Sequence, residues 1–422
     1  MTSETRAIDL LVTNAAFVVT PEGTRARGGQ DLRRVRSIAG GSVAVRDGTI
    51  VAVGTELERA DGAIQRGPKT RVLDAGGGVV VPGFVDCHTH PVFLGTRETE
   101  FELRTRGASY VEIAAAGGGI LSSVEGVRGA DAATLGALLA LRLDRFLDAG
   151  TTTIEAKSGY GLSLDAERKS LEVLRAAGSH PVEIVPTFLG AHDVPPEYRD
   201  DRGAYVDLLI DAMLPAIREA GLAEYADIFT EDHVFGLVDS RRILERAREL
   251  GFGLRMHVDQ LSPLGGAELA AELGATSADH LEFVSDRGID ALGEAGVVPV
   301  LCPVVPLYLR VDQEAPARRM IDRGLAPALS TDFNPGSCYL QSLAEVASWA
   351  ALRYRMTAEE CLTAITLNAA ASLGRADRLG SLEVGKQADL VVLDVPNLAH
   401  LVYELGRNPV RAVVKRGEVV RG

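Results

Sequence analysis

Cysteine is scarce in this chain. The 422 residues hold four, Cys87, Cys302, Cys338 and Cys361, with no CxxC spacing among them, so a disulfide framework is excluded and free thiols in a reducing cytosol are expected. Long apolar runs are missing as well. The longest, 297–309, is about 13 residues and is interrupted by prolines, against the roughly 20 that cross a bilayer. The opening Met-Thr-Ser-Glu-Thr-Arg lacks the charged-then-apolar layout of a signal peptide, so the cytoplasm is the expected compartment. No cluster of Lys and Arg stands out, and 44 basic residues against 58 acidic ones leave a formal net charge of −14. Neither a nucleic-acid partner nor a membrane surface is expected, and an anionic substrate would need a local cationic pocket. What is present is an ordinary globular composition, 46% apolar and 24% charged, with enough chain for two or three domains, a barrel alone taking about 250 residues.

The first eighty residues carry short β-branched runs at 10–12, 16–19, 42–45, 50–53 and 72–73, with turns such as Asp47-Gly48 between them, and the last forty repeat that texture at 388–393 and 410–419. This predicts a small antiparallel β-sandwich domain built from both ends of the chain, 1–82 and 385–422. Between them, at 83–384, helical patterns alternate with short apolar runs at 79–86, 151–156, 182–189, 226–230, 252–258, 276–281, 297–302 and 326–331. Eight such strands alternating with helices predict an α/β fold of the (β/α)₈ barrel type. Glycines at 150, 178, 221, 251, 274, 296 and 324 stand where the intervening helices should stop. Two further helices, 340–355 and 358–373, follow the last strand, the second opened by a Thr357/Glu360 capping box.

His88-Thr89-His90 follows directly on the first barrel strand. Side chains alternate along a strand, so both imidazoles point one way and Thr89 the other, and two nitrogens can converge on one ion at roughly 2.0–2.1 Å. His257, His280 and Asp332 stand at the ends of the fifth, sixth and eighth expected strands, on the barrel face where active sites of such folds lie. His88, His90, His257 and Asp332 make a four-ligand set dominated by nitrogen, suited to zinc or iron rather than magnesium or calcium. A metal there lowers the pKa of bound water from about 15.7 to near 7, which points to hydrolysis.

These residues resemble the amidohydrolase superfamily over nearly the whole chain: the split β domain, the barrel, Pro82-Gly83-Phe84-Val85-Asp86-Cys87-His88-Thr89-His90 and the late Ser330-Thr331-Asp332. Narrower stretches are similar to the imidazolonepropionase family. They are His90-Pro91-Val92-Phe93 with Arg97, Gly117-Gly118-Gly119-Ile120-Leu121-Ser122, the 155–162 run around Tyr160, Phe188 to His192, His257 to Ser262, Ser277 to Leu281, and Asp332 to Ser337. The resemblance implies opening of the lactam of 4-imidazolone-5-propanoate to N-formimidoyl-L-glutamate in histidine degradation, with one Zn²⁺ or Fe³⁺ per chain and a homodimer. It also implies substrate or product contacts at Arg97, Tyr160, His192, Gln260, Asn334, Gly336 and Ser337. Hydroxide on the metal would attack the ring carbonyl, with Asp332 and His280 carrying the proton and either open as the principal base.

Without the resemblance, Arg97 reads as a helix-surface ion pair with Glu98 or Glu100. Deaminases of the superfamily place a glutamate where this chain has Gln260, and an amide cannot shuttle protons, so deamination by that route is disfavoured. No lysine ends the fourth strand to bridge a second metal, which favours one ion. A catalytically dead scaffold would be expected to lack at least one of the four ligands, and all four are present. Glu231 and His233, near the fourth strand, have no assigned role.

Overall fold

A computed structural model describes residues 7–55, 57, 64–108, 112–113 and 118–422. Eight parallel strands follow one another in chain order in a single sheet. They are β1 (Phe84–Asp86), β2 (Thr151–Lys157), β3 (Glu183–Ala191), β4 (Tyr225–Thr230), β5 (Gly253–Val258), β6 (Ser277–His280), β7 (Val298–Leu301) and β8 (Ala328–Leu329). Every residue of β2 and β4 is buried, as a parallel sheet covered on both faces requires. Just past β1 and β8, Thr89 bridges to Phe333, and the His90 N–H donates to the Phe333 carbonyl at 2.8 Å. The barrel expected from the sequence therefore closes at its mouth.

The chain ends form two further sheets. One is four-stranded, ordered Thr49–Gly54, Ser42–Arg46, Ile8–Thr13 and Arg66–Asp74. The other runs Glu418–Arg421, Val410–Lys415, Leu390–Leu393, Val79–Pro82, Phe17–Thr20 and Arg36–Ala39, interleaving both termini. Val80, Leu390, Val392 and Val414 face a core shared with Leu10, Val12 and Val43 of the smaller sheet. Their neighbours Val79, Val81, Val391, Leu393 and Val413 face the barrel core instead. The alternation of period two gives one sheet two buried faces, and it becomes the middle layer of the molecule.

Three expectations need correction. The terminal sheets are mixed rather than antiparallel, because Ile8–Thr13 pairs parallel with Arg66–Asp74 and Phe17–Thr20 parallel with Val79–Pro82. The run 79–86 is two strands in two sheets. Pro82 has no N–H to continue a ladder, and Gly83 turns with its N–H on the Asp389 carbonyl at 2.9 Å, where a Cβ would lie 2.4 Å from the Thr152 hydroxyl. Of the seven glycine stops, six have left-handed backbone, and Gly178 instead sits inside the 3₁₀ turn Ala177–Ser179. The Thr357/Glu360 capping box forms as expected. All four cysteines are buried and unpaired, and among the described residues no helix is long and apolar enough to cross a membrane.

Candidate active site

Asp86, the last residue of β1, accepts hydrogen bonds from the Ser330 hydroxyl, from the Thr331 N–H at 3.1 Å and from the Thr331 hydroxyl at 2.6 Å. This stitches β1 to the residues after β8 and sets His88 and His90 against Asp332. Thr89 turns the other way, its hydroxyl donating to the Glu155 carbonyl at 2.6 Å.

Four atoms then meet. His88 Nε2 is 3.3 Å from His90 Nε2 and 3.4 Å from Asp332 Oδ1; His90 Nε2 is 3.4 Å from that oxygen and 3.5 Å from His257 Nε2. His88 Nδ1 lies 2.6 Å from Asp279 and His257 Nδ1 3.1 Å from Asp227. A carboxylate accepts, so each Nδ1 carries a proton toward its own carboxylate, and each Nε2 presents a lone pair to the centre once it has given up its proton. Lone pairs facing one another and a carboxylate repel until a cation sits between them. His88, His90 and His257 bring donor atoms close enough to share one ion, and His88, His280 and Asp332 form a second such group, with His88 common to both. The donor set therefore fits a metal ion, and buried His90 Nδ1 has no hydrogen-bond partner among the described residues.

Behind each braced imidazole stands a carboxylate, and behind each carboxylate a buried cation. Lys157 Nζ is 2.8 Å from Asp227 and 2.7 Å from Glu155, while Arg255 Nη2 is 3.2 Å from Asp279 and donates to the Cys87 carbonyl at 2.7 Å. Such partners fix the tautomer and orientation of metal-ligating histidines. Burial disfavours charge on His88, and Lys157 adds to that, but the Asp279 carboxylate prevails and lifts it to about 9. Burial holds His90 at about 4, and His280 and His192 well below their ordinary range. Burial would raise Asp332, yet hydrogen bonds from His88 and His90 keep it well below the usual carboxylate range.

His280, whose ring centroid is 5.1 Å from that of His88, has φ +80°, and Asp259 and Asp332 are also left-handed at +50° and +49°. Such backbone costs about 1–3 kcal/mol per residue and collects where side chains must be aimed. His90, His257, His280 and Asp332 line one cavity at the barrel mouth together with Arg97, Tyr160, His192, Gln260, Asn334 and Ser337. His192 stacks on His90 at 5.2 Å and donates from Nδ1 to the Gly159 carbonyl at 2.9 Å, leaving Nε2 as an acceptor. Asn334 Oδ1 accepts the Gly336 and Ser337 N–H groups at 2.8 and 2.7 Å, and its amide donates to Ser337 Oγ at 2.7 Å.

Gly336 does not line this cavity. It backs Arg97 so closely that a Cβ there would fall 2.2 Å from the guanidinium, so any larger residue would push that guanidinium aside. Arg97 pairs with Glu100 through two hydrogen bonds, 3.0 and 2.7 Å. The ion pair read from the sequence exists, but it is buried rather than on a helix surface. Glu100 also accepts from the Gly119 N–H and the Ser122 hydroxyl, both at 3.2 Å, which gives the 117–122 motif its task; Gly117 lies outside the described residues. His233 packs its ring edge-on against Phe229 and takes no part in the cavity wall. Sequence reasoning gave no task to Asp227 or Arg255; Asp86, Glu155, Lys157 and Asp279 entered it only as parts of motifs, and Glu100 only as an ion-pair partner for Arg97. A carboxylate or cation inside an apolar strand was the only signal they offered.

Comparison with known proteins agrees over the full length. The amidohydrolase family model matches residues 79–420. An imidazolonepropionase of Symbiobacterium thermophilum is 51% identical over 417 residues, covering 98% of each chain, and one of Solibacter usitatus is 48% identical over 416 residues, again covering 98% of each. In fold, the chain is similar to a zinc-bound adenosine deaminase from Xanthomonas campestris, with TM-score 0.72 at 21% identity over 99% of this chain and 93% of that one. Guanine deaminase of E. coli gives TM-score 0.71 at 18% identity over 97% and 99%.

Proposed function

The chain belongs to the imidazolonepropionase family of amidohydrolases, and on that premise we propose that it hydrolyses the ring C–N bond of 4-imidazolone-5-propanoate to N-formimidoyl-L-glutamate in histidine breakdown. The observation that carries the reading is one cavity lined both by His90, His257 and Asp332 of the four-group centre, which the ring carbonyl needs, and by Arg97, which the propionate needs. His88, His90, His257 and Asp332 would hold one zinc or iron ion per chain, and the chemistry such an ion supplies is Lewis acidity and an acidified water.

The remaining work falls to side chains. Arg97, held side-on by Glu100, offers a guanidinium to the propionate, the geometry in which arginine binds carboxylates best. Tyr160 and Ser337 supply hydroxyls and Asn334 an amide. His192, its Nδ1 proton spent on Gly159, offers an acceptor to a substrate N–H rather than a donor to a carboxylate. Gln260 presents both a donor and an acceptor to the heterocycle. Ionised Asp332 and neutral His280 take the proton of the attacking water between them and return it to the ring nitrogen as the C–N bond breaks and the new carboxylate forms. The glycine behind Arg97 acts by leaving room.

We place the domain limits at 82/83 and 384/385 and the enzyme in the cytoplasm as a homodimer acting on a small molecule, with neither nucleic acid nor membrane as partner. Four buried free thiols and a net charge of −14 support that setting. The test is to supply 4-imidazolone-5-propanoate to metal-loaded protein and follow N-formimidoyl-L-glutamate by NMR. Turnover with about one metal equivalent per chain supports the assignment, and no product from fully loaded protein overturns it.

A further inference from the structure

We infer that Glu231 is a positioning residue for the proposed reaction, its carboxylate clamping the turn that presents Gln260 to the substrate; the inference rests on the reading of Gln260 given above. Glu231 follows β4 directly and is fully buried. Its own backbone is fixed, the N–H donating to the Phe235 carbonyl at 3.1 Å and the carbonyl accepting the Val234 N–H at 3.0 Å. Oε1 accepts the Gln260 and Leu261 N–H groups, both at 2.8 Å, and Oε2 accepts the Ser262 hydroxyl at 2.6 Å. Three consecutive residues of the turn after β5 thus hang on one side chain of the neighbouring strand.

The turn needs such a hold. Asp259, one residue earlier, is left-handed, which is unfavourable for a residue bearing a Cβ. Its carboxylate accepts the Gly265, Gly266 and Ala267 N–H groups at 2.9–3.0 Å, and its carbonyl accepts the Phe283 N–H at 2.7 Å. Asp259 therefore secures the far end of the turn and Glu231 the near end, the end whose Gln260 and Leu261 line the cavity. Without the Glu231 carboxylate, two adjacent N–H groups lose their acceptor and the turn rearranges to find others. His257, inside the β4–β5–β6 ladder, stays where it is. The clamp acts on substrate binding and leaves the metal site alone.

The experiment compares Glu231→Ala with Glu231→Gln, which keeps an acceptor oxygen for the two N–H groups. In Glu231→Ala, KM for 4-imidazolone-5-propanoate should rise about tenfold or more while kcat changes by less than about threefold. Metal content should match wild type, hydrogen exchange at the Gln260 and Leu261 amides should quicken locally, and Glu231→Gln should restore most of the KM. An unchanged KM with those amides still protected overturns the clamp, as does loss of metal with kcat and KM falling together. Should Glu231→Ala not fold, Ser262→Ala removes one bond of three and should raise KM about threefold; no rise overturns the proposal. If wild-type protein does not turn the substrate over, the functional reading fails, and the clamp stands or falls on the amide exchange alone.

Discussion

Two clusters of paired charge, one half-buried and one fully buried, use the same residue types to opposite ends. At the seam where β3 begins, Glu183 accepts from Arg378 at 3.2 Å and lies 3.4 Å from Lys415, whose ammonium is 2.7 Å from Asp389. Burial pushes the Glu183 carboxyl up, and Arg378, Lys415 and Arg416 push it further down, to about 2. Every charge there meets its opposite, and the cluster closes on itself. Beneath the cavity, Glu155, Lys157, Asp227, Arg255 and Asp279 also pair, although Arg255 Nε and Asp279 Oδ1 have no hydrogen-bond partner among the described residues, and their carboxylates hold two imidazoles whose other nitrogens point at one another. A network that closes on itself gives stability; one whose carboxylates reach on to two imidazoles gives a place for an ion.

Asp332→Asn should cut deepest, lowering kcat by about 10³-fold while the thermal melt shifts little; ordinary rates in the variant would remove Asp332 from the mechanism. Arg97→Met should raise KM by about 10- to 100-fold with metal retained, read by steady-state kinetics alongside metal analysis, and a large loss of metal would show the cation misassigned. Asp279→Asn, which leaves His88 an amide in place of a carboxylate, should weaken metal binding by about 10- to 100-fold, measured by chelator competition. Glu183→Gln deletes a half-buried carboxylate at the seam and should leave kcat and metal affinity alone. Its cost is stability, on the order of 2 kcal/mol at pH 7. Because the folded carboxyl is depressed from 4.5 to about 2, that contribution is present above the unfolded value and lost as pH falls. The denaturation curves of wild type and variant should therefore converge between about pH 4.5 and pH 2. If the last two variants exchanged phenotypes, the contrast between the clusters would be wrong.

The barrel was legible because β/α alternation leaves a period in the sequence, and the meeting of His88, His90, His257 and Asp332 was legible because each ends a strand on the same face. The split at Gly83 was legible as a domain limit but not as a strand break: 79–82 and 84–86 read as one apolar run, and only the Pro82–Gly83 turn separates the sheet each joins. Asp227 and Asp279 were hidden for a related reason. Each lies within a strand that reads as core, and its partner comes from another strand, 30 residues away for His257 and 191 for His88. The buried setting of Arg97 was illegible because Glu100 at i+3 looks the same on an exposed helix face as against a cavity wall. Glu231 showed only as a strand-end acid, since backbone N–H groups of a distant turn leave no mark on composition.

The seam that closes the barrel joins Asp86 to Ser330, 244 residues apart. A nascent chain emerging in order has all three ligand histidines long before it has Asp332, and it cannot bring β1 and β8 together until the eighth strand is made. Contacts of such long reach are late events in folding. The four-residue centre is thereby complete only once the eighth strand has been made and has met the first.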